Sequence, residues 1–142
     1  MQLETIDEPQ GSLLLRTLAM PADTNANGDI FGGWIMSQLD LAGAILAKEI
    51  CSGRVVTVSV SEIVFKAPVS VGDVVCCYGI CTRIGNTSMS IKLDVWVKPV
   101  GIDGIGNRRL VCEAIFNYVA IDSQGRPRPV NKDGINPMDV SF

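Results

Sequence analysis

The run from Ala22 to Asp40 reads Ala-Asp-Thr-Asn-Ala-Asn-Gly-Asp-Ile-Phe-Gly-Gly-Trp-Ile-Met-Ser-Gln-Leu-Asp, and it concentrates the residues able to do chemistry. Gly32 and Gly33 precede an apolar stretch with helical character. Main-chain N–H groups at a helix start have no intrahelical partner, and two glycines leave them open to a ligand, which suits an oxyanion or a polarised carbonyl. Asp40 is the only ionisable residue between Trp34 and Ala47. Its neighbours at helical spacing, Ser37, Gly43 and Ala44, are small, which leaves room for a reactant to reach the carboxylate. Each feature also has a plain structural reading: Gly32-Gly33 as a packing device, Asp40 as an ion-pair partner or cap, and Asn25 and Asn27 as loop residues tolerant of left-handed backbone. Their conjunction favours chemistry, because a lone acid inside an apolar helix is hard to justify by stability.

Histidine is absent from the chain. That removes Ser-His-Asp and Cys-His nucleophile systems, the usual zinc sites and any His-dependent dehydratase. Carboxylates, amides, hydroxyls and backbone groups must carry any reaction. No metal or other cofactor is expected. The five cysteines, Cys51, Cys76, Cys77, Cys81 and Cys112, form no CxxC pair and leave one over. They read as reduced, buried thiols of a cytoplasmic protein.

The elements that must position Asp40 follow from patterning. Ser12 to Met20 is an apolar run ended by Pro21 and reads as a strand, and Pro21 to Asp29 has loop chemistry. From Gly32 to about Gly53 the apolar residues cover nearly every side of a helix, which implies burial on most faces. Val55 to Phe65 and Val74 to Ile84 read as strands, with a turn at Gly85-Asn86. Ser88 to Val100 alternates, Met89, Ile91, Leu93, Val95 and Val97 against Ser90, Lys92, Asp94 and Lys98. Pro99 to Arg109 is a Gly-rich connection, and Leu110 to Ile121 the last strand. This order predicts an α+β domain, an antiparallel sheet wrapped around one long helix, with the open side available to a second copy. All 142 residues fit one domain, with irregular tails at about 1–11 and 122–142.

Composition narrows the partners. Hydrophobic residues make up 47% and charged residues 19%. This is rich for a small domain and points to burial against another subunit. The net charge is −3 with no basic run, which argues against nucleic acid. The N-terminus has no signal-peptide pattern. Ile30 to Ala47 is interrupted by Asp40, Ser37 and Gln38, which argues against a membrane span.

The segment from Arg16 through Lys48, containing Leu-Ala-Met-Pro-Ala-Asp-Thr-Asn-Ala-Asn-Gly-Asp-Ile-Phe-Gly-Gly-Trp, closely resembles the YciA-type bacterial acyl-CoA thioesterases, hotdog-fold proteins related to animal cytosolic acyl-CoA hydrolases. The resemblance continues through Arg54-Val55-Val56-Thr57-Val58, Pro68-Val69-Ser70-Val71-Gly72-Asp73-Val74-Val75, Val95-Trp96-Val97-Lys98 and Ile105-Gly106-Asn107-Arg108, and covers roughly residues 10–128. It implies a hotdog fold and hydrolysis of acyl-CoA to CoA and a carboxylic acid, with coenzyme A as part of substrate and product. It also implies Asp40 as general base or nucleophile, Asn25 as a positioning amide, and Gly32 and Gly33 as the helix start that meets the thioester carbonyl. The family's cleft lies between two subunits, so the resemblance implies Asp40 and Asn25 acting from opposite chains of a dimer, with dimers assembling into a hexamer as a trimer of dimers. One departure concerns the cleft wall: relatives usually carry an acidic residue in the strand after Thr57, where this chain has Ser61, then Glu62.

With no P-loop present, scattered groups would hold the CoA phosphates and pantetheine. Lys98 and Arg108 fall in the resembling stretches. Arg54, Lys66 and Arg83 are further candidates, and the Gly85-Asn86-Thr87-Ser88 turn offers N–H and hydroxyl donors. A catalytically silent acyl-CoA-binding module and a pure oligomerisation domain are the alternatives, and turnover by wild type and Asp40→Asn separates them.

Overall fold

A computed structural model of the chain describes residues 8–131. Residues 1–7 and 132–142 of the expected tails lie outside the described residues. Strand β1 (Ser12–Leu18) is followed by a 3-10 turn (Pro21–Asp23), helix α1 (Gly32–Cys51), β2 (Val55–Phe65), β3 (Val74–Ile84), β4 (Ser88–Lys98), β5 (Val100–Gly101), β6 (Gly104–Ile105) and β7 (Arg109–Ala120). Five strands form one sheet in the order β1-β3-β4-β7-β2, every neighbour antiparallel. The Pro99–Arg109 connection is more ordered than its glycines suggest, because β5 and β6 pair as a two-stranded hairpin.

Alternation decides which face of the sheet meets the helix. Met89, Ile91, Leu93, Val95 and Val97 of β4 are buried, as are Cys112, Ala114, Phe116, Tyr118 and Ala120 of β7. They face Ile35, Leu39, Ala42, Leu46, Ala47 and Ile50 of α1 in one core. A fully buried Val or Leu contributes about 1.5–3 kcal/mol, so this alternation sets the register. The helix is less enclosed in the single chain than its composition predicts: Phe31, Met36, Leu41 and Ile45 stay exposed.

The sheet ends on one side at β2, and this edge is unusual. Its outer backbone has no strand partner among the described residues, yet Val56, Val58, Val60, Val64 and Phe65 are all exposed. Long apolar edges invite pairing with another chain.

The helix stops at Ser52, held in the left-handed region at φ 53°, rather than at Gly53 itself. Gly53 serves a different purpose. The Arg128 guanidinium donates to the Cys51 carbonyl at 2.8 Å and to the Pro129 carbonyl at 2.9 Å, and a Cβ on Gly53 would meet its Nη2 at 2.4 Å. Residues 122–131 form no helix or extended strand, but Arg128 N–H donates to Ala120 and Val130 N–H to Asn86, and Val130 is buried. No helix among the described residues is long and apolar enough to cross a membrane.

Candidate active site

The helix start is built as an open pair of donors. Phe31 caps α1 in extended conformation, φ −73° and ψ 148°, with no side-chain hydrogen bond to the first turn. Trp34 and Ile35 N–H donate to the Phe31 carbonyl. Among the described residues no acceptor meets the N–H groups of Gly32 and Gly33, so two of the four orphan donors of a helix start remain free. Both point along the positive end of the helix dipole.

Asp40 lies about 12 Å further along the axis at 1.5 Å per residue. It is half-buried and has no cation within ion-pairing distance among the described residues. Thr57 of edge strand β2 donates its hydroxyl to Asp40 Oδ1 at 2.5 Å. Tyr118 of β7 donates to the Asp40 carbonyl at 2.9 Å and lies 3.3 Å from the same Oδ1. No donor is recorded for Oδ2 among the described residues, so one carboxylate oxygen is anchored and the other is open. Burial, then the Asp40 charge, pushes the Tyr118 hydroxyl far above its ordinary range, which keeps it a proton donor at neutral pH.

The small residue at Gly43 has a different meaning from the one its sequence context suggests. The space it leaves beside Asp40 is filled: a Cβ there would lie 2.2 Å from the Tyr118 hydroxyl oxygen. Gly43 admits Tyr118, not a reactant. Neither Thr57 nor Tyr118 is legible as a partner of Asp40 from sequence, being 17 and 78 residues away.

A cleft of about 390 Å³ opens at the start of the helix, lined by Asn25, Asp29, Gly32, Phe65, Lys66 and Pro68 among others. Asn25 shapes its own loop, its side-chain oxygen accepting from Asn27 N–H at 2.9 Å and Asp29 N–H at 3.2 Å. No partner is recorded for its amide N–H₂ among the described residues. The loop is seated by Ile30 N–H on the Val69 carbonyl, and the Pro68–Val69 wall is held by Arg109, which donates to the Pro68 carbonyl at 3.1 Å and lies 3.5 Å from Asp73. The structure therefore brings Asn25 and Gly32 together and leaves Asp40 outside that cleft in the same chain.

The other candidates divide between the two ends of the sheet. Arg54 precedes β2, and Arg83 with the Gly85–Ser88 turn lies near the Tyr118 end, since Ser88 pairs with Val119. Lys66, Lys98 and Arg108 lie at the Asn25 end. Lys66 is ion-paired with Glu113 at 3.1 Å. Burial opposes charge on Glu113, but the hydrogen bond from Lys66 and the nearby Lys92 outweigh it and hold the carboxyl below its usual range. Arg108 sits over the Trp96 ring at 5.9 Å. Gly85 N–H is already bonded to the Ser88 carbonyl, and the Thr87 and Asn86 carbonyls accept from Ala120 and Val130. Among the described residues, the Asn86 and Thr87 N–H groups, the Asn86 side-chain amide and the Thr87 and Ser88 hydroxyls meet no acceptor.

Ser61 is not a lining residue of the cleft. Its hydroxyl accepts from Asn117 at 2.7 Å, beside Ser59 at 2.9 Å. Asn117 alternates with core-facing Phe116 and Tyr118, so this network belongs to the sheet's outer face. Glu62 is exposed.

Residues 27–102 match the thioesterase superfamily model. The acyl-CoA thioester hydrolase YciA of Salmonella typhimurium is 62% identical over 133 residues, 93% of this chain and all of that protein. Its counterpart in Escherichia coli K12 is 64% identical over 124 residues, 87% of this chain and 94% of that one. Among solved structures, a hexameric thioesterase from Yersinia pestis superposes with a TM-score of 0.83 at 58% identity, covering 88% of this chain and 99% of that one. This chain belongs to the YciA-type acyl-CoA thioester hydrolases of the thioesterase superfamily, and its fold is the hotdog.

Proposed function

We propose that the protein hydrolyses acyl-CoA thioesters to CoA and free acid in a site completed by two chains. The observation that carries this reading is the placement of Asp40: a half-buried carboxylate with no cation among the described residues, anchored through one oxygen to an edge strand whose outer side has no strand partner among them. The thioester carbonyl oxygen is received by the N–H groups of Gly32 and Gly33. The open Asp40 oxygen either takes a proton from the attacking water or attacks the carbonyl carbon itself, giving an anhydride that water cleaves. Asn25 directs its free amide at substrate or water.

Geometry supports sharing between chains. Thr57 and Phe65 mark the Asp40 and Asn25 ends of β2; they pair with Tyr118 and Cys112 across two bulges, so they are about 20 Å apart at 3.4 Å per residue of β7. Antiparallel pairing of β2 with its own copy about the strand midpoint sets the Asp40 end of one chain beside the Asn25 end of the other. The dimer is thus the smallest unit with a complete site, and the exposed valines of β2 supply its seam. Relatives described as hexameric, such as the Yersinia pestis enzyme, support a hexamer of such dimers. The CoA moiety is held by cations from both ends, Arg54 and Arg83 of one chain and Lys66, Lys98 and Arg108 of the other, with Thr87 and Ser88 hydroxyls. Five buried free thiols suit a reducing cytoplasm.

Thiol release from short-, medium- and long-chain acyl-CoAs by wild type and Asp40→Asn tests the reading. Turnover by wild type and a fall of at least about 100-fold in the variant are expected. An unchanged rate in Asp40→Asn removes Asp40 from the mechanism, and binding without turnover makes the protein an acyl-CoA-binding module.

A further inference from the structure

We infer that Tyr118 is a positioning residue for the reaction, fixing the Asp40 carboxylate through its hydroxyl. The inference rests on the reading of Asp40 as the reacting group. Three observations carry it. The Tyr118 hydroxyl is the only side-chain group in the described residues that touches both the main chain and the carboxylate of Asp40, at 2.9 and 3.3 Å. A mid-helix carbonyl already accepts the N–H four residues on, so a second donor on it is a tertiary clamp rather than part of the helix. Finally, the contact needs a glycine: any Cβ at position 43 would lie 2.2 Å from the hydroxyl oxygen and 2.8 Å from the ring carbon that bears it.

The clamp has a direct consequence for the acid. Tyr118 is fully buried, so its ring cannot drift, and β7 lies beside β2, where Thr57 pairs with Tyr118. Both groups gripping Oδ1 therefore sit on adjacent strands of a rigid sheet. Together they set the carboxylate rotamer and leave Oδ2 without a donor among the described residues. Removing the Tyr118 hydroxyl leaves Thr57 alone, and the carboxylate gains freedom to turn while remaining present and charged. Turnover should suffer and substrate binding should not.

The test uses the assembled enzyme with octanoyl-CoA as probe. Tyr118→Phe keeps the ring and removes one oxygen. Its kcat should fall about 10- to 100-fold, the effect of a small misplacement of a reacting group, with KM within about twofold and the assembled size unchanged. A kcat within about twofold of wild type overturns the inference, as does a loss expressed mainly in KM. Should Tyr118→Phe fail to fold, Gly43→Ala displaces the hydroxyl from Asp40 with the phenol retained, since its Cβ would lie 2.2 Å from the hydroxyl oxygen. A lower kcat at constant KM then supports the inference, and an unchanged kcat overturns it. Asp40→Asn measured alongside separates the two levels: full activity there defeats the Asp40 reading, whereas an inactive Asp40→Asn with a fully active Tyr118→Phe defeats this inference alone.

Discussion

Two variants that should each be inactive should restore activity when combined. The first is Asp40→Asn, which keeps an oxygen for the Thr57 hydroxyl. The second is Asn25→Asp, which keeps the oxygen that accepts from Asn27 and Asp29 N–H and loses only the free amide. Within one chain the Asn25 cleft excludes Asp40, and the two mark opposite ends of β2. If each site takes Asp40 from one chain and Asn25 from its partner, a mixed dimer has one doubly altered site and one fully native site. Random association of equal amounts makes half the dimers mixed, so the mixture should reach about a quarter of the wild-type rate per chain. Stacking dimers into larger assemblies leaves this fraction unchanged, because each seam counts separately. The assay is thiol release after the chains are co-expressed with different tags and purified together. A rate no higher than the mean of the two parents refutes the reasoning and places both residues in one site of one chain.

Three further outcomes are expected. Gly32→Pro deletes one free N–H at the first helical position, where proline is tolerated and where Phe31 is already extended; kcat should fall about 100- to 1,000-fold with the fold retained by circular dichroism, and a near-native rate would dismiss that amide as an oxyanion donor. Arg128→Ala removes a charged cap on the helix end and the tie to the 122–131 segment, and urea titration should show a loss of about 1–2 kcal/mol; no change would mean that segment is held by Val130 alone. Burial raises the Cys77 and Cys112 thiols from 9.0 to about 12 and about 11. The stability this reflects is complete below the unfolded value near 9 and is lost progressively as pH climbs from there toward 11 and 12, so the urea midpoint should drop between pH 8 and pH 10.5, and a flat profile would contradict it.

Much of this architecture is readable from local pattern. The alternation from Met89 to Val97, the apolar run after Gly33 and the turn at Gly85-Asn86 state their elements directly, because side-chain period reports which face is buried. Asp40 stands out for the same local reason, as a charge in an apolar stretch. What surrounds it is not local. Thr57 and Tyr118 reach Asp40 through strand order, and β7 lies between β4 and β2 for reasons spread over the whole sheet. Gly43 misleads because a missing side chain reads as free space until its filler is known. Arg128 is hidden in the same way: a cation in a Pro- and Gly-rich tail gives no sign that it caps a helix 77 residues earlier. Of the CoA-binding candidates, sequence supplies only charge for the cations and donor chemistry for the Gly85–Ser88 turn, and the fold sorts them by end.

The open ladder of β2 also bears on how this protein can be handled. Natural sheets protect a free edge with lysine, proline or a bulge. Here the ladder has shifts near Thr57/Ser59 and Val60/Glu62, but valines remain along its outer run. If β2 is the seam of the proposed dimer, a chain released from it carries a ready template for indiscriminate strand addition, so dilution, or a substitution that only weakens the seam, should yield precipitate before it yields a soluble monomer. Preparing a stable monomer requires a lysine or proline placed directly on that strand.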